Sequence, residues 1–186
     1  AVQLQQIVGI PMRAYLDAMD SAPYAACAPS TPPVRVPAAL APKMLKLAAE
    51  RAAGSHPYFV PPEHTVAART VLGKGPWLAP EQAVVFDTNP TTAREVARTH
   101  MATYLTLPNY VNNLKRLGYT DDDVANGGSD QLVDAIVAWG DLGAIVRRIR
   151  AHHDAGADHV AVQVLDANPA ELPVRQWREL AGALLG

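Results

Sequence analysis

Apolar positions along this chain switch between two spacings. From Met12 to Asp20, in MRAYLDAMD, Ala14, Leu16 and Met19 share one broad helical face. The stretch SAPYAACAPSTPP that follows is too rich in proline to be helix or sheet throughout. VRVPAAL, from Val34 to about Leu40, reads as a short strand. Pro42 then opens a helix, since its missing N–H would be unpaired in the first turn anyway. Met44, Leu45, Leu47, Ala48 and Ala52 recur at helical spacing, and Gly54 reads as the stop. SHPYFV is a second strand, PPEHTVAARTVLG a helix opened by Pro61 and Pro62, GKGPWLAP a loop, and QAVVFD a third strand ending at Asp87.

The second half is mainly helical. Asn89 and Pro90 form a cap and first-turn pair for TTAREVARTHMATYLTL, which Pro108 breaks. NYVNNLKRLGY carries Val111, Leu114 and Leu117 on one stripe, and TDDDVANGG is a turn-rich link. SDQLVDAIVAWG reads as one helix capped by Ser129 and stopped by Gly140. DLGAIVRRIRAHHDAG is capped by Asp141, turns Leu142, Ile145, Val146 and Ile149 inward, and stops at Gly156. HVAVQVL, His159 to Leu165, is a nearly unbroken apolar strand of the kind buried on both faces. PAELPVRQWRELAGALL closes the chain as a helix with Leu172, Trp177, Leu180 and Leu184 on its apolar side.

Strands thus alternate with helices four times. This predicts an α/β protein with a parallel sheet and right-handed crossovers. Two architectures remain: a small doubly wound sheet, or part of a (β/α)8 TIM-type barrel. A whole barrel takes eight strand–helix units and about 250 residues, so on this reading the chain is a C-terminal half-barrel. It is treated as a single domain over residues 1–186, with residues 1–11 as an atypical lead-in.

Composition narrows the function classes. The chain has 186 residues, is 49% hydrophobic and 18% charged, and has a formal net charge of -2, an ordinary soluble composition. No basic patch points to nucleic acid, and no apolar run reaches the length of a membrane span. AVQLQQIVGIP lacks the basic and long apolar regions of a signal peptide, so the cytoplasm is the expected compartment. Cys27 is the only cysteine, which excludes an intramolecular disulfide and a thiolate zinc cluster.

Three stretches could carry chemistry. In PAALAPK a strand ends, small residues follow, and a helix opens. Ala38, Ala39 and Ala41 would let an anion approach helix-start amides, and Lys43 adds a charge. An ordinary strand-to-helix turn would look the same, and no glycine fingerprint separates the two. SHPYFVPPEHT holds His56, Glu63 and His64 but no zinc spacing, so no metal is expected. Pro61, Glu63 and His64 follow a strand end, where ligands gather in parallel αβ sheets, although His64 or Glu63 could equally cap the next helix. Asn109, Tyr110, Asn112 and Asn113 place amides beside an aromatic ring, suited to the mouth of a planar-ligand pocket or to a plain helix start. His152 and His153 read as exposed cations in a last helical turn.

Longer strings fit a family together. LAPKMLKLAAERAAGSHPYFVPPEHTVAAR, LAPEQAVVFDT, YLTLPNYVNNLKRLGY and LVDAIVAWGDLGAIVRRIRAHHDAGADHVAVQVL resemble the luciferase-like monooxygenase superfamily, in particular its deazaflavin-dependent oxidoreductase branch. The resemblance implies a (β/α)8 barrel and hydride exchange between coenzyme F-420 and a small organic substrate, with flavin mononucleotide (FMN) as the cofactor of other branches. It makes PAALAPK the fifth strand and its turn. By position, Ala38, Ala39, Leu40 and Ala41 then bind cofactor near its phosphate-bearing tail, with Lys43 beside them. It puts Pro61, Glu63 and His64 on the active-site rim, with His64 as the local proton-transfer group, and Asn109 and Tyr110 at the substrate pocket. Strands one to four of the family have no counterpart here. The expected partners are therefore a second copy of the chain or a completing N-terminal half. The alternative functions are a truncated, non-catalytic half-barrel that self-associates or needs a separate N-terminal half, and an FMN-dependent monooxygenase.

Overall fold

The structure, a computed structural model, describes residues 11–186 except positions 24, 26, 28, 32 and 169. The lead-in AVQLQQIVGI lies outside the described residues. Packing divides the chain into two compact units, 1–34 and 35–186. In the first, helix α1 (Met12–Ser21) buries Leu16. It ends where Ser21 Oγ donates to the carbonyls of Asp17 and Ala18.

The second unit holds α2 (Pro42–Arg51), β1 (Gly54–Ser55), α3 (Pro62–Leu72), β2 (Trp77–Leu78), β3 (Glu81–Val85), α4 (Pro90–Tyr104) and α5 (Pro108–Arg116). It continues with α6 (Asp121–Val124), a 3-10 turn (Ala125–Gly127), α7 (Asp130–Ile136), β4 (Val137–Trp139), α8 (Leu142–Asp154), β5 (Ala161–Leu165) and α9 (Val174–Leu184). Every strand pair is parallel: β1 with β2, and β4-β3-β5 in that order.

Backbone bonds join these pieces into side-by-side rows. Ala53 and His56 N–H donate to the carbonyls of Arg35 and Pro37 at 2.9 and 3.0 Å. Trp77, Ala79 and Glu81 N–H donate to Ala53, Ser55 and Pro57, and Asp158 and Ala161 donate to Leu78 and Pro80. Residues 35–37, 53–57, 77–85 and 158–165 therefore run as four parallel neighbours, an open half-barrel course rather than a closed barrel. VRVPAAL was expected as a short strand. It is extended without regular strand pairing, because Pro37 interrupts the row and lacks an N–H to give.

Three further expectations change. SDQLVDAIVAWG is not one helix: α7 stops at Ile136 and β4 follows, its Ala138 in register with Val84. The 53–57 row leaves β3 where Phe59 takes φ 59°, and β4 occupies the vacated flank. Gly54 does not stop α2, whose cap is Ala52; it starts β1 instead. The last helix begins after Pro173 rather than at residue 169, since a helix running through Pro173 would lose a backbone bond and clash with its ring.

The caps stand where the side chains suggested. Asn89 Oδ1 accepts from Thr91 N–H, Ser129 Oγ from Leu132 N–H and Asp141 Oδ1 from Ala144 N–H. Alternation along β3 sends Val84 to a core with Ile145, Ile149 and Leu180, and sends Ala83 and Val85 to a core with Met101, Leu114, Leu132 and Val133. A third core joins Ala39, Leu45, Ala48, Ala68, Leu72 and Leu78. β5 is less enclosed than its apolar run implied: it is half-buried, and Gln163 is exposed, because β5 is an edge of its sheet.

Candidate functional site

A cavity of about 300 Å³ opens where the 38–41 turn leads into α2. Its walls come from two distant pieces of sequence. One is Ala38, Ala39, Leu40, Ala41 and Met44; the other is Asn109, Tyr110, Asn112 and Arg116 of α5, with Tyr58 between them. The turn and the amide-rich helix, separate candidates in the sequence, therefore form one site. Pro42 has no N–H, and Met44 and Leu45 N–H both donate to Ala41 O. Lys43 N–H is thus the amide of the first turn without an intrahelical acceptor. Arg116, beside Asn113 Oδ1 at 3.2 Å, supplies the cation of the cavity wall.

The remaining sequence candidates lie elsewhere. The Lys43 side chain is exposed and does not line the cavity. Pro61 is buried and Glu63 exposed, and neither lines it. His64 is 2% exposed, with Nε2 2.9 Å from Leu40 O. That pairing makes Nε2–H the donor and leaves Nδ1 buried without a hydrogen-bond partner. Burial lowers its pKa, outweighing the Leu40 carbonyl, and Arg116 lowers it further. His64 therefore fastens the 38–41 turn to α3 from behind. His56 does the same one row over, its Nδ1 2.6 Å from Ala79 O. The two histidines of SHPYFVPPEHT are backbone braces. Among the described residues no group of three His, Cys, Asp or Glu is placed to hold a metal.

Sequence reasoning missed what lies behind the cavity. Tyr58, His100, Tyr104 and Tyr110 form a ring cluster with centroid separations of 5.2–6.4 Å. Tyr104 Oη donates to Tyr58 Oη at 3.2 Å, and Tyr58 Oη donates to Gln163 Oε1 at 2.7 Å. Beside them Glu81 is 6% exposed. Its Oε2 accepts only a long 3.4 Å contact from Phe59 N–H, and its Oε1 has no partner. Burial pushes its carboxyl up to about 7, against a small downward pull from Phe59 N–H. Burial raises Tyr58 and Tyr110 as well, with Tyr104 and Glu81 adding to it. The available signal was period two: in EQAVV, Glu81 shares the face of Ala83 and Val85.

No family model matches the sequence, and no curated protein does. Solved structures do. A coenzyme F-420-dependent tetrahydromethanopterin reductase from Methanopyrus kandleri superposes with TM-score 0.58 at 20% identity, over 78% of this chain and 48% of that one. An F-420-dependent secondary alcohol dehydrogenase, in complex with an F-420–acetone adduct, gives 0.52 at 14% identity, over 73% and 44%. Apo-MsnO8 gives 0.57 at 17% identity, over 94% and 57%. The chain shares their fold. It spans about half the length of these neighbours. Among the described residues no helix is long and apolar enough to cross a membrane.

Proposed function

We propose that this chain forms the coenzyme-tail side of a luciferase-like oxidoreductase that exchanges a hydride between coenzyme F-420 and a small organic substrate. The observation that carries this reading is the single cavity uniting the 38–41 turn with Asn109, Tyr110, Asn112 and Arg116. Its chemistry fits the anionic tail of such a coenzyme. It offers small side chains against backbone, one guanidinium and side-chain amides able to donate to phosphate oxygens. The described cavity matches a phosphate-bearing segment better than a whole coenzyme, since drug-sized ligands fill about 300–1,000 Å³. When bound, the coenzyme supplies the hydride chemistry; the chain's part is to hold and orient it and keep water away. FMN presents the same phosphate chemistry and is the second cofactor reading. A half-barrel that binds no cofactor, pairing with a second copy or an N-terminal half through its open rows, is the alternative function.

Titrating the purified chain with coenzyme F-420 and with FMN, while light scattering reports its mass, separates these readings. Selective F-420 binding supports the oxidoreductase; absence of binding by either cofactor supports the non-catalytic half-barrel. Ala41→Asp should weaken F-420 binding about tenfold or more, because a carboxylate then faces the phosphate at short range. An unchanged Kd in a folded Ala41→Asp variant removes the turn from the site. His64→Ala should raise Kd and lower turnover together, as expected of a brace on Leu40 O. A catalytic imidazole would instead show as lost turnover at unchanged Kd.

A further inference from the structure

We propose that Glu81 sets the charge selectivity of the cavity, admitting an anionic ligand group while its carboxyl holds a proton and rejecting it once that proton leaves. The inference rests on the anion reading of the cavity above. It begins from geometry. Glu81 does not itself line the cavity; it shares the β3 face of Ala83 and Val85, whose core packs against Tyr58 and Tyr110, the two rings shared between the cavity wall and the aromatic cluster. No salt bridge is formed by Glu81 among the described residues, and one of its oxygens is buried without a partner. A carboxyl so placed avoids ionisation, because a buried anion without a counter-charge is far costlier than a buried acid.

The titratable groups that interact with Glu81 are Tyr58 after β1 and Tyr110 on α5; His100 and Tyr104 on α4 pack on those rings, and Tyr58 Oη donates to the neutral amide of Gln163 on β5. Tyr58 and Tyr110 are raised above their ordinary range and stay neutral through mild alkali. His100 is lowered by burial and is neutral above its ordinary value. Against Tyr58, Tyr110 and His100, Glu81, whose burial moves it to about 7, is thus the group whose charge changes between pH 6.5 and 9. A phosphate held by the 38–41 turn and Arg116 would meet a neutral wall at the lower pH and a carboxylate behind Tyr58 at the higher one.

The test compares wild type with Glu81→Gln, which keeps shape and polarity, using two probes, coenzyme F-420 and inorganic sulfate, at pH 6.5 and pH 9. Sulfate keeps its charge over that range, and the comparison between proteins cancels any titration of the coenzyme itself. The wild-type affinity for both probes should fall about tenfold more than that of Glu81→Gln across the interval. Parallel profiles with bound F-420 would overturn the charge gate and leave the coenzyme reading standing. Gated sulfate binding without F-420 binding would keep the gate and sink the coenzyme. Failure of both probes at either pH would remove the anion site and the gate with it. Should Glu81→Gln not fold, 13C-carboxyl NMR of wild type decides: a glutamate titrating near neutrality supports the gate, and titration of every carboxyl in the ordinary range overturns it.

Discussion

Gly54→Ala is expected to destabilise the fold by about 3 kcal/mol or more, enough to abolish soluble expression of a marginally stable domain. A Cβ at this position would sit 2.1 Å from Trp77 O and 2.6 Å from Trp77 Cβ. Both atoms belong to the neighbouring row, pinned by Trp77 N–H to Ala53 O at 2.7 Å and by the register of Gly54 with Trp77. No flexible side-chain end can yield, so the two rows must part. The 53–57 row also pairs with residues 35–37, which lead into the turn that walls the cavity, so a surviving variant should also lose ligand affinity. Gly182→Ala is the control. Gly182 lies inside α9 with nothing within 4 Å of the added methyl, and helix propensity then favours alanine by about 1 kcal/mol. Thermal melts of the two variants should move in opposite directions. A Gly54→Ala melt matching wild type would mean that the rows are not in the close approach described.

The second large effect is acid-induced. His152 is fully buried, with Thr65 Oγ1 at 2.8 Å from Nδ1 and Gln82 Oε1 at 3.0 Å from Nε2. Gln82 Nε2 donates to Ile136 O and to Ala83 O, so its Oε1 is the acceptor. His152 therefore carries its proton on Nε2 and accepts the Thr65 hydroxyl at Nδ1, a neutral imidazole with no vacant site for a second proton. Burial first, then Arg148, His153 and His64, lowers its pKa to about 4. Because the folded value lies below the unfolded one, the unfolded chain binds the proton first as pH falls. The stability contributed by this residue is complete above about 6.5, declines between about 6.5 and about 4, and is flat below. The loss amounts to about 3 kcal/mol from a shift of roughly two and a half pH units. Urea midpoints of wild type and His152→Gln, measured from pH 7.5 to pH 3.5, should therefore converge through that window, the variant starting lower. Midpoints that stay parallel would show that His152 is charged or free to be charged in the folded chain.

His152 also marks a limit of linear reading. In DLGAIVRRIRAHHDAG it sits in the last turn beside His153, a place that invites a solvated cation. Helical spacing from Ile145 and Ile149 puts it on the buried stripe instead, while His153 is exposed with Nδ1 at Ala157 O. The pattern held that information, and residue type alone pointed the other way. Glu81 is a similar case. It stands between the loop GKGPWLAP and the strand QAVVFD, yet it opens β3 and is buried, because Glu81 N–H and Ala161 N–H tie both flanks of the row at that level.

Local chemistry was enough for the caps at Asn89, Ser129 and Asp141, the break before Pro108, and the alternation that calls for a parallel sheet, since each depends on bonds within a few residues. The tertiary structure alone decided the rest. β4 is a strand only because Val137, Ala138 and Trp139 find Ala83, Val84 and Val85 beside them; three apolar residues at the end of a helical run carry no period of their own. The cavity exists only because α5 folds over a turn some seventy residues earlier in the chain, bringing Asn109, Tyr110 and Arg116 against Ala38 to Ala41. His64 holds the 38–41 turn because Leu40 O lies 2.9 Å from its Nε2. Such pairings depend on how separate rows stack, and desolvation, which sets the charge of His64, Glu81 and His152, is a property of that stacking.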